Sequence, residues 1–190
     1  MNILKRYIIL TLIFLTCGLA FNVNAQSNTF SSKNSQITFF SSTPLENIQA
    51  KTQKVAAAIN LDNGEVIFKV KINTFEFAKK LMQEHFNENY MESDKYPSAE
   101  FKGVIQNIQQ VKGNGTYQVE VKGSLLIHGI KKDYTTKATL VLNNSELSTL
   151  ATFDVKLEDH QIKIPSVVGK NIAEVIQVKI AAQFLKTGSK

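Results

Sequence analysis

The chain has very little of the residue types that make disulfides, thiol chemistry or bidentate phosphate contacts. Its 190 residues include one cysteine, Cys17, and one arginine, Arg6, and both lie near the start. We therefore expect no disulfide and no thiol chemistry in the folded domain that follows. Proteins that read nucleic acid normally use the forked guanidinium of arginine, so the scarcity of arginine argues against nucleic acid as a partner.

The common catalytic and metal-binding motifs are missing as well. No G-x-S-x-G nucleophile elbow, glycine-rich phosphate loop or zinc-type cluster occurs in the chain. The three histidines, His85, His128 and His160, have no ligand spacing such as H-x-H or H-x-x-x-H. We therefore expect no cofactor and no bound metal, and nothing in the sequence demands catalysis.

The first residues have the pattern of a secretory signal peptide, residues 1–25. Lys5 and Arg6 precede an apolar run over residues 7–21, and a small-x-small cleavage pattern ends at Ala25. The run is too short and wrongly flanked for a lasting transmembrane helix. We therefore expect export to the periplasm or out of the cell, with cleavage after Ala25.

What remains after cleavage is a single domain of residues 26–190, long enough to bury a sizeable core. A lipoprotein interpretation would make Cys17 the acylated residue, but the residues before it match a lipobox poorly. Without Lys5 and Arg6 the formal net charge falls from +6 to +4. This mild positive charge favours solubility, or weak attraction to anionic lipid surfaces.

Alternation of apolar and polar residues dominates the rest of the chain, and it predicts about eight strands. Short turns separate most of them, for example Asp62-Asn63-Gly64. The pattern indicates an all-β domain, an antiparallel barrel or sandwich, and eight strands just close a small barrel. The inward positions mix phenylalanine with alanine and glycine, which fits a solid or a hollow barrel equally well. Residues 42–53 are interpreted as a loop with one helical turn.

One helix is predicted, over residues 77–90, and its apolar stripe must cover something apolar. Two sets of residues spaced by four positions form the stripe: Phe77, Leu81, His85, Met82, Phe86 and Tyr90. Lysine, glutamine and glutamate lie outside it, as in an amphipathic helix. We expect this helix to pack at the barrel mouth.

The polar residues allow more than one interpretation. His85 with Glu88 or Asp94 could form the acid–base pair of an enzyme acting on a hydrophobic substrate. Alternatively, the carboxylates simply solvate the outer face of the helix. His128 is either a histidine at a strand end or a polar group at a pocket. The acidic segment that ends in His160 is interpreted as a solvated loop.

Two long motifs resemble the YceI-like proteins, an exported bacterial family. The first is LMQEHFNENYMESDKYPSAEFKG, residues 81–103, with the H-F and Y-P pairs of the family. The second is VKGSLLIHGIKKDYTTKATL, residues 121–140, a glycine-containing strand that ends in I-H-G. Residues 153–165 resemble a later pattern, although the family more often has an aromatic residue in place of His160. The resemblance covers residues 26–190.

The resemblance implies a lipocalin-like, eight-stranded antiparallel β-barrel with a hydrophobic tunnel and one amphipathic helix at its mouth. It further implies a protein that carries or sequesters a long-chain amphiphile (a polyisoprenoid, an isoprenoid quinone or a fatty amide) and that is not an enzyme. A long chain gains about 0.8 kcal/mol per buried CH₂, so such a tunnel needs no charged anchor. The scarcity of arginine favours a neutral head group over pyrophosphate.

On this interpretation one set of residues contacts the chain of the ligand: Phe68, Phe77, Leu81, Met82, Phe86, Phe101, Ile127, Phe153 and Phe184. A second set contacts the head group: His85, Tyr90 and His128. The alternatives that stay open are the enzyme described above and a solid barrel that acts on a protein partner through its outer surface. Transient contact with a membrane surface and a homodimer are also compatible with the sequence.

Overall fold

The computed structural model describes residues 28–166 and 169–187, so the predicted signal peptide lies outside the described residues. Strands dominate this part of the chain. They are β1 (Thr29–Ser42), β2 (Asn47–Thr52), β3 (Val55–Asn60), β4 (Glu65–Lys71), β5 (Glu76–Phe77), β6 (Ser98–Ile105), β7 (Gly115–Ile127), β8 (Ile130–Asn143), β9 (Glu146–Lys156) and β10 (Val175–Lys186). One α-helix, α1 (Lys80–His85), lies between β5 and β6 in the described chain.

Eight of these strands form a closed antiparallel ring. The order around the ring is β1, β3, β4, β6, β7, β8, β9 and β10, and β10 pairs again with β1. The closing pair is long, from Phe30 opposite Lys186 to Phe40 opposite Gln177. Closure removes exposed sheet edges from the ring. The predicted eight-stranded antiparallel β-barrel is confirmed.

The interpretation of residues 42–53 as a loop with a helical turn is wrong. Asn47–Thr52 form β2, which pairs with the second half of β1 from Ile37 opposite Thr52 onward. Ala50 and Thr52 are buried while their neighbours are exposed, which is the alternation of a strand. Ile48 is the only large apolar residue in β2, so the alternation was too weak to predict a strand. Because β5 pairs with β2, the two strands extend the sheet beyond the ring on one side of the barrel.

Two apolar clusters divide the interior along the barrel axis. One fills the end where the β3–β4 and β8–β9 turns lie, here called the floor, with Phe30, Ile59, Leu140, Leu147 and Phe184 almost fully buried. The other lies at the opposite end, here called the mouth. Its buried members include Ile37, Val70, Ile72, Phe75, Met91 and Ile162. The floor is therefore the more closely packed end, and the larger space for a ligand lies towards the mouth.

The predicted helix is shorter than expected and changes its winding halfway. Residues Lys80–His85 are α-helical, Phe86–Tyr90 form a π-helical turn, and Phe77 belongs to β5. The backbone N–H of Met91 donates to the carbonyl of Phe86 at 2.9 Å, which closes the wide turn. Such π-helical insertions frequently occur at functional sites. Residues 80–96 are called the cap below. Within the described residues, no helix is long and apolar enough to cross a membrane.

Candidate ligand cavity

A cavity of about 350 Å³ lies between the cap and the mouth end of the barrel. Side chains from β1, β4, β6, β9 and β10 line its sides, and Met82, Phe86 and Tyr90 line it from the cap. The lining is almost entirely aliphatic and aromatic, with few polar groups. Its volume falls within the range of about 300–1,000 Å³ that is usual for small-molecule sites.

Four aromatic rings hold the cap against the barrel wall. Phe86 packs with its ring centroid 5.4 Å from Phe39, 5.9 Å from Phe75 and 5.0 Å from Phe77. Phe39 also contacts Phe75 at 5.3 Å and Phe77 at 5.7 Å. Such pairs contribute about 0.5–1.5 kcal/mol each beyond the burial of their area. Phe39 and Phe75 were missed as cavity residues, although the alternation of Ile37, Phe39 and Ser41 marked one face of a strand.

Most of the residues predicted to contact a chain do line the cavity: Phe68, Phe77, Met82, Phe86, Phe101, Ile127 and Phe153. Two do not. Leu81 is 60% exposed, because the short helix turns it outward from the barrel. Phe184 is only 1% exposed and belongs to the floor cluster, where its ring lies 6.1 Å from that of Phe68. The structure therefore moves Leu81 to the outer rim and Phe184 to the core.

Two of the three predicted head-group residues lie at the cavity. Tyr90 and His85 line it from the cap, with Tyr90 half-buried and His85 largely exposed. Burial raises the pKa of the Tyr90 hydroxyl above its usual value, so this hydroxyl stays protonated and neutral. It is thus available as a hydrogen-bond donor to a bound group. His128 does not line the cavity.

A polar contact at the rim was not predicted. The Glu46 carboxylate accepts from the Lys79 ammonium at 3.2 Å and from the Asn171 side-chain amide at 3.2 Å. The Asn171 hydrogen bond, followed by the Lys79 hydrogen bond, lowers the pKa of Glu46, so the group is charged. Glu46 and Asn171 line the cavity, and among its described lining residues there is no lysine or arginine. Because the three residues are far apart in sequence, no local sequence pattern could predict that they are in contact.

His128 instead fastens the cap to the β7–β8 turn. Its Nε2 lies 2.7 Å from the Glu92 carboxylate, and its Nδ1 lies 3.2 Å from the carbonyl oxygen of His160. The ring of Tyr96 packs edge-on with a centroid distance of 4.6 Å. His128 and Gly129 have φ values of 52° and 75°, as the two central residues of a tight hairpin turn require. His128 is therefore not placed to contact a head group in the cavity, and its role is to hold the cap against the β7–β8 turn.

The interpretation of the segment around His160 as a solvated loop is wrong for the histidine itself. His160 is fully buried at 0% exposure and stacks on the ring of Tyr134. Its Nδ1 lies 3.1 Å from the Ile130 carbonyl and its Nε2 lies 3.0 Å from the Tyr134 hydroxyl. Burial lowers the pKa of His160, so its ring is neutral, donating at Nδ1 and accepting from Tyr134 at Nε2.

The buried neutral ring of His160 predicts a loss of stability in mild acid. The unfolded chain takes up a proton below a pH of roughly 6.5, whereas the folded chain resists it, so the free energy of unfolding falls as pH falls. The contribution reaches about 1.4 kcal/mol per pH unit between the unfolded-state pKa and the lowered folded-state pKa. His160→Phe should remove this component of the slope. It should also lower the free energy of unfolding by the same amount at every pH, because the Tyr134 hydroxyl loses its hydrogen-bond partner.

Urea unfolding from about pH 7.5 to about pH 5 measures this slope. The matched control is His85→Gln, which removes a histidine that is exposed on the cap instead of buried. An identical pH slope in wild type and His160→Phe would contradict the assignment.

The acid–base pair considered from the sequence is not assembled. Glu88 and Asp94 are both exposed, and neither is hydrogen-bonded to His85 in the part of the chain that the structure describes. Across residues 28–166 and 169–187, no group of three or more histidine, cysteine, aspartate or glutamate side chains is placed to hold a metal ion.

Comparisons with known proteins agree with the barrel geometry. A family model described as a YceI-like domain matches residues 28–184. Among solved structures, a polyisoprenoid-binding domain from Saccharophagus degradans superposes with a TM-score of 0.73 at 14% identity, covering 84% of this chain and 99% of that one. BcnA from Burkholderia cenocepacia gives 0.68 at 16% identity, covering 78% and 95%. A YceI protein from Campylobacter jejuni gives 0.57 at 13%, covering 70% and 82%. No curated protein sequence matches the chain.

Proposed function

The chain belongs to the YceI-like family, and from this and the cavity we propose that it is an exported protein that sequesters or carries a long-chain amphiphile. The observation that supports the proposal most is the apolar cavity under the cap. A barrel that only needed a core would be packed as closely at the mouth as it is at the floor. The likeness of fold to a polyisoprenoid-binding domain favours the same class of ligand.

Binding in this cavity would rest on the hydrophobic effect. An inserted prenyl or acyl chain replaces water along walls of phenylalanine, isoleucine and valine and gains about 0.8 kcal/mol per buried CH₂. Met82 and Met91 lie at the mouth, where their flexible thioethers adapt to chains of different shape. The cap then covers the inserted chain through the ring contacts of Phe86. The role is one of binding, and no catalytic step is proposed.

The rim favours an uncharged head group. Lys79 already balances the charge of Glu46, and no lysine or arginine among the described lining residues is placed to bind a phosphate or pyrophosphate. The Tyr90 hydroxyl offers a donor, while the Glu46 and Asn171 oxygens accept. A hydroxyl, a quinone or a primary amide fits such a rim, which makes isoprenoid alcohols, isoprenoid quinones and fatty amides the favoured ligands.

The rim would also make transient contact with a membrane surface during loading. Leu45 is 66% exposed and Leu81 is 60% exposed. They flank the contact between Glu46 and Lys79, so the two leucines lie on the same side of the mouth. Exposed leucines next to lysine are suited to the interface of a bilayer that contains anionic lipids.

The proposal predicts that filling the cavity abolishes ligand binding without unfolding the barrel. Val178 lines the cavity and lies between Phe39 and Phe153 on the neighbouring strands. Val178→Trp should reduce ligand occupancy about tenfold or more, a difference of ~1.4 kcal/mol or more in binding free energy. The matched control is Val141→Trp, which places the same side chain on the outer wall, where Val141 is 42% exposed.

Solvent extraction with mass spectrometry, paired with native mass spectrometry, measures the occupancy. We expect a stoichiometric lipid in the wild type and in Val141→Trp, and little in Val178→Trp. A wild-type protein that carries no lipid and takes up neither isoprenoids nor fatty amides would overturn the proposal and favour action through the outer surface. The native spectrum also tests whether the protein forms a homodimer, which the sequence allows.

A further inference from the structure

A second, smaller cavity of about 40 Å³ lies deeper in the barrel than the cavity at the mouth. The floor residues Ile59 and Leu140 are among the residues that line it. Four residues line both cavities: Phe68, Phe101, Phe153 and Ile180. These four side chains therefore form a layer across the barrel, with the larger space above and the smaller space below.

Phe101 is held in this layer by an unusual feature of the neighbouring wall. Gly103 on β6 lies opposite Gly123 on β7, so two glycines face each other across the sheet. A Cβ at Gly103 would lie 2.8 Å from the Phe101 ring, and a Cβ at Gly123 would lie 2.7 Å from it. The ring thus occupies the space that two ordinary side chains would need. The position of the Phe101 ring inside the barrel is therefore fixed by the backbone of Gly103 and Gly123, against which it packs.

We propose that Phe101 limits how deeply a bound chain enters and so sets the chain length that the protein prefers. The inference rests on the proposed function, because it concerns the depth of the same cavity. A chain that enters at the mouth extends until its end meets the layer of Phe68, Phe101 and Phe153. Further carbons cannot pass without displacing a ring that the glycine pair holds from behind. They remain at the mouth, partly in water, and add little to the affinity.

Removing the Phe101 ring should join the two cavities. A large-to-small substitution in a protein core opens a space on the order of 150 Å³ that stays dry and accepts apolar ligands. In Phe101→Ala the joined space would take several further chain carbons. Each carbon that becomes buried raises the affinity about fourfold, since a buried CH₂ is worth about 0.8 kcal/mol. Phe101→Leu should give a smaller shift in the same direction.

The test is a competition for an equimolar ladder of straight-chain primary amides, from dodecanamide to docosanamide, read by native mass spectrometry. We expect a maximum at a defined length for the wild type and a maximum at a longer chain for Phe101→Ala. The control is Phe86→Ala, which removes a ring at the mouth. It should lower occupancy for all lengths without moving the maximum.

The outcomes separate this inference from the proposed function. If the wild type binds the ladder and both Phe101 variants keep the same maximum, the length limit is wrong while the binding function stands. Uniform loss of binding in both variants, with no shift, would make Phe101 a structural residue and also overturn the inference. If the wild type binds neither the amides nor a parallel ladder of isoprenoid alcohols, both the function and the length limit fail.

Discussion

Replacing Phe184 by alanine is expected to lower the free energy of unfolding by about 3–5 kcal/mol, the usual cost of a phenylalanine truncated in a packed core. Phe184 is 1% exposed and packs edge-on against Phe68 in the floor cluster. Because the barrel closes around it, the surrounding strands cannot collapse into the space. Most domains have a net stability of only about 5–15 kcal/mol, so this single change would remove a large share of the net stability.

Urea unfolding measures the loss, and Phe86→Ala is the matched control. The same atoms are removed there, but from a half-buried ring at the mouth. Phe86→Ala should lower the free energy of unfolding less than Phe184→Ala does. It should lower the affinity for the ligand more than Phe184→Ala does. Equal losses of stability in the two variants would show that the floor is no better packed than the cap, and would contradict the division of the interior described above.

The second large effect is expected for Gly123→Ala, with a loss of about 3 kcal/mol from overpacking. The added Cβ would lie 2.4 Å from the Lys102 carbonyl oxygen and 2.5 Å from the Gly103 Cα. Both are backbone atoms of β6, so a side-chain rotation cannot relieve the contact and the two strands must separate. The hydrogen bonds between β6 and β7 would be strained as a result.

Gly169→Ala provides the control for Gly123→Ala. The nearest atom to its added Cβ is 3.5 Å away, an ordinary contact, and its stability should change by no more than about 0.5 kcal/mol. Chemical denaturation of both variants gives the comparison. A Gly123→Ala protein as stable as the wild type would mean that β6 and β7 are not paired at Gly103 and Gly123. In that case the support of Phe101 would also be in doubt.

Alternation along the chain was sufficient to predict the barrel but not the position of a residue along its axis. Phe153 and Phe184 both point inward, and period two places them in the same class. Only the stagger of the strands separates them, since it brings Phe153 to the cavity and Phe184 to the floor. That stagger depends on the register of the pairs and on irregularities such as the shift between Ser32 and Asn34 in β1. None of these features has a signal in local sequence.

The polar residues were harder to place than the apolar ones, because their partners are distant in sequence. His160 follows two acidic residues and looks solvated by its neighbours alone, yet Tyr134 and Ile130 enclose it in the fold. Glu46 and Asn171 meet only after β10 closes the ring. Leu81 shows the opposite case, since helical spacing predicted it on the apolar stripe. Phe77 belongs to β5 and not to the helix, so the spacing from Phe77 to Leu81 does not define a helix face, and Leu81 lies outside.

Closure of the ring between β1 and β10 also decides how the protein can be attached to something else. The backbone N–H of Thr187 donates to the carbonyl of Thr29 at 2.7 Å, so both ends of the described domain leave the barrel side by side at the floor. A tether, tag or fused domain joined at either end would therefore connect to the floor, the end of the barrel opposite the mouth. A protein immobilised on a support in this way would present its cavity to whatever flows past.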